Sequence, residues 1–284
     1  MVAMIAVTGV TGHIGSRVAA ILAERGIEPR LLLRDPAKAT GLPAERTAVA
    51  SYDDPEAARR ALDGVQLLFM VSAAESADRL DQHRTFIGAA ADAEVRHVVY
   101  TSFLGASPTA TFTLAQDHAV TEGVLRASGM AWTFLRDSFY LDLLPEFADQ
   151  DGVIRGPAGA GRVGAVLRED VARSAAAVLI DEVTGTRPHT GASYDLTGPE
   201  ALTLTEIAQI VTEETGRVLS YHDETIEEAY ASRAPYGAPQ WQLDAWVSTY
   251  TAIRAGELAT VTSAVADLTG TPARSLREYL RSPQ

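Results

Sequence analysis

A chain of 284 residues with 46% apolar and 21% charged side chains is long enough to bury a full core without metal or disulfide support, and its composition lies far from that of a disordered segment. Its formal net charge of -13, from 24 basic and 37 acidic side chains, repels phosphate backbones and anionic lipid, so neither nucleic acid nor a membrane surface is expected as a partner. There is no cysteine, and the six histidines show no ligand spacing, which argues against disulfides, a thiol nucleophile and a metal site. The first residues lack a basic leader region and no apolar run approaches the roughly 20 residues that span a bilayer, so a cytoplasmic protein is expected.

Short β-branched runs at residues 4–8, 30–33, 47–50, 66–71, 98–101 and 132–135 predict strands, and amphipathic stretches between them predict helices. The first helix, residues 16–25, stops at Gly26; Asp35-Pro36 and Asp54-Pro55 each pair an N-cap with proline at the first helical position. This alternation predicts an α/β fold, a Rossmann doubly wound parallel sheet. Beyond residue 144 the rhythm loosens. The glycine-rich residues 152–164 read as loop; residues 169–180 read as a helix, 193–196 as a strand, and 205–215 as a helix capped by Thr205 and closed by Gly216. The expected organisation is an NAD(P)-binding Rossmann domain over residues 1–144 and a smaller C-terminal α/β substrate lobe over residues 145–284, partly interleaved with the first.

The strongest local signal is Gly9-Val10-Thr11-Gly12-His13-Ile14-Gly15, set directly after a strand and before a helix. A pyrophosphate needs a tight turn, a backbone without Cβ atoms in its way, and the N–H groups at a helix start; this segment supplies all three. Cofactor type is decided at the end of the second strand, where a carboxylate selects the ribose hydroxyl of NAD and an arginine the 2′-phosphate of NADP. Arg34 stands there, Lys38 adds a second positive charge, and Asp35 is the counter-candidate as a ribose acid. The balance favours NADP(H), because the guanidinium fork suits a phosphate. In a doubly wound sheet, Asp53 is expected near the adenine and Ser72 near the nicotinamide ribose.

Lys38 is the only lysine, so the Tyr-x-x-x-Lys pair that moves protons in many short-chain dehydrogenases cannot exist here. The substitute is His118, with Glu122 one turn later on the same helix face; the pair reads either as an imidazole held in one tautomer by a carboxylate or as a helix-surface pair.

Together these segments resemble the atypical short-chain dehydrogenase/reductases of the NmrA-like group, especially the branch of quinone oxidoreductases and triphenylmethane reductases. The carriers are residues 7–15, Leu33-Arg34-Asp35-Pro36-Ala37-Lys38, His97-Val98-Val99-Tyr100-Thr101-Ser102, His118-Ala119-Val120-Thr121-Glu122, Thr133-Phe134-Leu135-Arg136, Arg168-Glu169-Asp170-Val171-Ala172 and residues 194–200. The resemblance implies NADP(H) binding by the glycine loop with Thr11, His13 and Ile14, a 2′-phosphate contact from Arg34, and cofactor contacts from Asp53, Ser72, Thr101 and Ser102. It further implies Phe139 and Tyr140 near the nicotinamide. Asp137 departs from the family, which more often has proline or asparagine there. The reading is an oxidoreductase passing hydride from NADPH to a quinone or another conjugated, electron-poor small molecule. His118 and Tyr140 are the catalytic candidates, and Phe139, Tyr140 and Trp241 are aromatic surfaces for the substrate that read equally as core, Trp241 more readily as core than as substrate surface. A homodimer is allowed for. The alternative is a non-catalytic NADP(H) sensor of the NmrA type.

Overall fold

The computed structural model describes residues 3–282 of the chain. Along it run β1 (Ile5–Val7), α1 (His13–Glu24), β2 (Arg30–Leu33), β3 (Thr47–Val49), α2 (Pro55–Ala61), β4 (Leu67–Met70), α3 (Arg79–Asp92), β5 (His97–Phe103), α4 (Thr113–Ala127) and β6 (Ala131–Asp137). Next come β7 (Val153–Gly156), β8 (Arg162–Val163), α5 (Arg168–Thr184), β9 (Ala192–Leu196), β10 (Leu202–Thr203), α6 (Leu204–Thr215) and β11 (Ser220–Asp223). Helices α7 (Ile226–Arg233), α8 (Gln240–Arg254), α9 (Ala264–Thr269) and α10 (Leu276–Arg281) follow.

Two compact units share this chain. The first takes residues up to Ser102, Asp117–Arg136 and Val171–Tyr194; the second takes Phe103–Gln116, Asp137–Asp170 and the residues from Asp195 onward.

The first unit is built on a seven-stranded sheet of order β3-β2-β1-β4-β5-β6-β9. Strand β1 pairs parallel with β2 and β4, and β2–β3 and β4–β5 are parallel as well. Bonds at both ends of β5 and β6, Ala131 N–H to Arg96 O and Leu104 N–H to Asp137 O, give them the same direction, as do Gly191 N–H to Trp132 O and Ser138 N–H to Leu196 O for β6 and β9. The doubly wound sheet expected from the sequence is therefore present. Helices cover parallel sheets on both faces, so central strands read as unbroken apolar runs. All of Leu67-Leu68-Phe69-Met70 is buried, as is every residue of β5. Helix α1 buries Ile14, Val18 and Leu22, one per turn, each position contributing about 1.5–3 kcal/mol through its apolar area. Strand order reverses between β1 and β4, which opens a crevice at their carboxyl ends.

The second unit holds two small sheets, parallel β7–β11 and antiparallel β8–β10, with helices α6 to α10 around a core that includes Leu141, Ile154, Leu167, Ile207, Ile253 and Leu276. Here the sequence reading needs correction. Residues 152–164 are loop only in part: they contain β7 and β8, whose partner strands lie far along the chain, so no local pattern announces them. Helix α6 is capped by Thr203, not Thr205, because the Glu206 side chain reaches back to close a capping box; Gly216, at φ +76°, ends it as expected. Asp35-Pro36 opens only a single 3-10 turn, Pro36–Lys38. Among the described residues, no helix is long and apolar enough to cross a membrane.

Candidate functional site

The turn between β1 and α1 is shaped by contacts that exclude side chains. Gly9 has φ +65°, and a Cβ on it would lie 3.1 Å from Val71. The Gly12 N–H donates to Gly9 O at 2.8 Å and closes the turn. Gly12 is the extended N-cap of α1; no side chain caps this helix and no acidic residue sits in its first turn, so its positive end is left to a ligand. At Gly15 a Cβ would fall 2.4 Å from the carbonyl oxygens of both Thr8 and Gly9, so only glycine lets the helix pack this close to the strand. Thr11 and His13 are exposed, whereas the Ile14 side chain is buried, which leaves its backbone as the part a ligand can reach. A cradle that Cβ atoms would fill, at an uncapped helix start, fits a pyrophosphate.

Beside it, at the end of β2, the Arg34 guanidinium is exposed and has no hydrogen-bond or ion-pair partner among the described residues. Asp35, the counter-candidate, is occupied: its Oδ1 accepts from the Ala37 N–H at 2.9 Å and caps the turn that carries the exposed Lys38. The Asp35 carboxylate is held by this local cap, and Arg34 and Lys38 set two cations beside it at the strand end. Asp53 is exposed just after Tyr52. Tyr52 is buried, stacked on Phe86 at 4.1 Å, and its hydroxyl donates to Val71 O at 2.6 Å; burial pushes the phenol well above its ordinary range.

At the ends of β4 and β5, Thr101 Oγ1 accepts from the Ser72 N–H at 2.8 Å, and the buried Ser102 hydroxyl donates to Glu122 at 2.6 Å. Glu122 does not hold His118. Its buried carboxylate instead takes two bonds from Arg136, at 2.8 and 2.7 Å, and one from Arg126 at 3.1 Å. Three competing donors converge on it, and a guanidinium fork satisfies a buried carboxylate better than a neutral ring does.

His118 lies between two other groups, its Nε2 2.9 Å from Arg79 Nη2 and its Nδ1 2.9 Å from the Tyr100 hydroxyl. A guanidinium only donates, so Nε2 accepts, the ring proton sits on Nδ1, and the Tyr100 oxygen receives it. Burial, then the Arg79 charge and His83, hold the imidazole well below the usual histidine range. Arg79 is itself buried, with Asp117 3.7 Å from its Nη1 as the nearest countercharge; burial raises the Asp117 carboxyl, partly opposed by Arg79. His83, on the same helix as Arg79, is buried too, its pKa pushed down to about 3 by burial and by the Arg79 charge. Sequence reasoning missed Arg79, His83 and Tyr100. The available signal was the four-residue spacing of Arg79 and His83 on a helix whose next turns, Phe86-Ile87 and Ala89-Ala90, are apolar.

In the second unit, Phe139 packs edge-on against Phe103 and Phe112, each with a ring separation of 5.1 Å. Phe103 and Phe112 also line a cavity of about 290 Å³, with Leu104, Ala115, Leu258 and Glu257 among its other walls; Glu257 is pinned by the Thr111 N–H and hydroxyl. The half-buried Tyr140 donates its phenol proton to Asp137 at 2.5 Å, and burial followed by that carboxylate raises its pKa well above the ordinary value. The departure noted at position 137 is thus the acceptor for Tyr140. Trp241 lies in the first turn of α8, half-buried and without ring contact to the Phe103, Phe112 and Phe139 cluster.

A family of NAD(P)H-binding domains matches residues 9–182. The NAD(P)H azoreductase of Xenophilus azovorans is 32% identical over 285 residues, 98% of this chain and 97% of the relative. The NADPH-dependent quinone oxidoreductase of Escherichia coli, solved with NADPH, superimposes with a TM-score of 0.85 at 33% identity over 98% of both chains. The Citrobacter sp. triphenylmethane reductase, solved with NADP(H), gives 0.82 at 28% identity over 98% of this chain and 99% of that one. Glycine cradle, basic strand end and full-length likeness agree: the chain belongs to the NAD(P)H-binding family, and its whole length is similar to quinone oxidoreductases and triphenylmethane reductases.

Proposed function

We propose that this protein is an NADPH-dependent reductase that delivers hydride to a flat, electron-poor acceptor such as a quinone, an enone or a conjugated dye. The observation that carries this reading is the unpartnered Arg34 beside a side-chain-free cradle, in a chain similar over its whole length to reductases of quinones, azo compounds and triphenylmethane dyes. Gly9, Gly12 and Gly15, with Thr11, His13 and the Ile14 backbone, hold the pyrophosphate; Arg34 and Lys38 take the 2′-phosphate, and Asp53 the adenosine side. Ser72, Thr101 and Ser102 lie on the nicotinamide side. Bound NADPH supplies the hydride.

Phe139, with Phe103 and Phe112, is the aromatic surface offered to the acceptor, and Tyr140 and Trp241 are separate aromatic candidates. Hydride addition to a quinone leaves an anion that one proton completes. No Tyr-x-x-x-Lys pair exists to give it, and protonating His118 would break its bond from Arg79 and set two cations side by side. His118 therefore works as a neutral ring that fixes Arg79 and Tyr100, Tyr140 holds its proton toward Asp137, and the final proton comes from water.

The test is loss of reduced-nicotinamide absorbance by the purified protein with a panel of quinones, enones and cationic dyes, beside an NADH control. Acceptor-dependent oxidation of NADPH, faster than that of NADH, is the expected result. Tight NADPH binding with no oxidation by any acceptor would replace this reading with that of a sensor.

A further inference from the structure

The three residues after β4, Val71-Ser72-Ala73, belong to no regular element, yet almost every backbone group in them is held by a side chain. Val71 N–H donates to Thr8 Oγ1 at 2.8 Å, and Val71 O accepts from Tyr52 at 2.6 Å. Ser72 N–H donates to Thr101 Oγ1 at 2.8 Å. Ala73 is gripped on both sides by α3, its N–H donating to His83 Nε2 at 2.9 Å and its carbonyl accepting from Arg79 Nε at 3.1 Å. Among the described residues, the Ser72 carbonyl and hydroxyl are left without a partner. Backbone groups at a sheet end are ordinarily satisfied through a ladder; in this half-buried segment five side chains do so and leave two acceptor oxygens of one residue open.

Position gives this arrangement its meaning. The glycine cradle follows β1, Arg34 ends β2, and β4 lies on the other side of β1, so a dinucleotide laid across the crevice with its 2′-phosphate at Arg34 brings its other half over Ser72. We propose, resting on the NADPH reading above, that Arg79 and His83 are positioning residues that pre-form the nicotinamide end of the cofactor site by clamping Ala73, so that the Ser72 carbonyl and hydroxyl meet the ribose hydroxyls.

Both clamp residues are braced from behind. His83 accepts at Nε2, so its proton is on Nδ1 and goes to Thr121 Oγ1 at 2.8 Å, while Thr121 donates to Asp117 O at 2.9 Å. Arg79 is braced by its Nη2 bond to His118. Neither clamp residue needs to touch the cofactor.

The experiment compares two nucleotides on the same protein: NADP+, which has both halves, and 2′,5′-ADP, which ends before the nicotinamide ribose. Arg79→Met and His83→Ala should each weaken NADP+ by about tenfold, the scale of one lost preorganising hydrogen bond or slightly more, and leave 2′,5′-ADP within about twofold. His83→Gln, which keeps an acceptor and a donor, should restore most of the NADP+ affinity. Equal weakening of both nucleotides, or of neither, overturns the clamp. A wild-type protein that binds neither nucleotide overturns the NADPH reading and the clamp together, an outcome distinct from variants that behave like a tightly binding wild type. Should a variant fail to fold, the nitrogen NMR signals of His83 in the wild type decide: the neutral Nδ1–H ring, present before and after NADP+ is added, is expected of a pre-formed loop, and a change of tautomer on binding overturns it.

Discussion

Gly12 and Gly15 sit three residues apart in one turn, and the structure gives them different duties. A Cβ on Gly15 would lie 2.4 Å from Thr8 O and Gly9 O, so at least 0.6 Å of separation must open before it reaches even the 3.0 Å that real Cβ atoms almost never breach. Neither oxygen moves easily: Gly9 O accepts from Gly12 N–H, and Thr8 is tied to Phe69 by its own N–H. Gly15→Ala is therefore an overpacking substitution, costing about 1–3 kcal/mol and lowering the melting temperature by roughly 2–10 °C. A Cβ on Gly12 would meet only Gly9 O, at 3.3 Å, from an ordinary extended conformation. Gly12→Ala should melt within about 4 °C of wild type, since alanine is a poorer N-cap than glycine but meets no severe contact here. It should nevertheless weaken NADP+ by about tenfold or more, because its methyl stands where the pyrophosphate approaches the backbone. Thermal melting followed by circular dichroism, paired with NADP+ titration, separates the two. Wild-type affinity in Gly12→Ala, or wild-type melting in Gly15→Ala, would refute this division of roles.

Arg34→Ala should raise the KM for NADPH by about 10- to 100-fold, the scale of one charge-assisted bond, and leave that for NADH nearly unchanged; steady-state kinetics with both coenzymes reads it. Stability should fall on acidification. His83 titrates near 3 when folded against about 6.5 when unfolded, so the unfolded chain binds the extra proton between these values; the contribution is complete above about pH 6.5 and is lost as pH drops toward 3. His118 pulls in the same direction, and urea midpoints across this range should show a shallower slope in His83→Gln. Glu122→Gln removes the buried carboxylate that Arg136 and Arg126 share, but both arginines reach solvent, so it should destabilise by about 1–3 kcal/mol, read from urea unfolding.

The parallel sheet was legible in the sequence because its strands are buried on both faces and alternate with helices that show their own caps. The cofactor cradle was legible for a related reason: glycine spacing after a strand reports a local steric demand that no distant contact can supply. What stayed hidden was non-local. Strands β7 and β8 are only four and two residues long, too short to announce themselves, and are visible only once β11 and β10 pair with them. Glu122 suggested itself as the partner of His118 because both lie on one helix face, yet Ser102 and Arg136 reach it from neighbouring strands and Arg79 takes the imidazole. Spacing on one element shows which side chains are near each other; it does not show which of several donors wins.

The central claim is that hydride leaves NADPH for an acceptor on this protein. Anaerobic mixing of the protein with limiting NADPH and an excess of a simple quinone tests it most directly, with reduced nicotinamide and hydroquinone both quantified and the run repeated with NADPH deuterated at the transferring carbon. The account predicts one hydroquinone per NADPH consumed, deuterium lost from the nicotinamide and a slower rate with the label. Full occupancy by NADPH with no hydroquinone formed would contradict it.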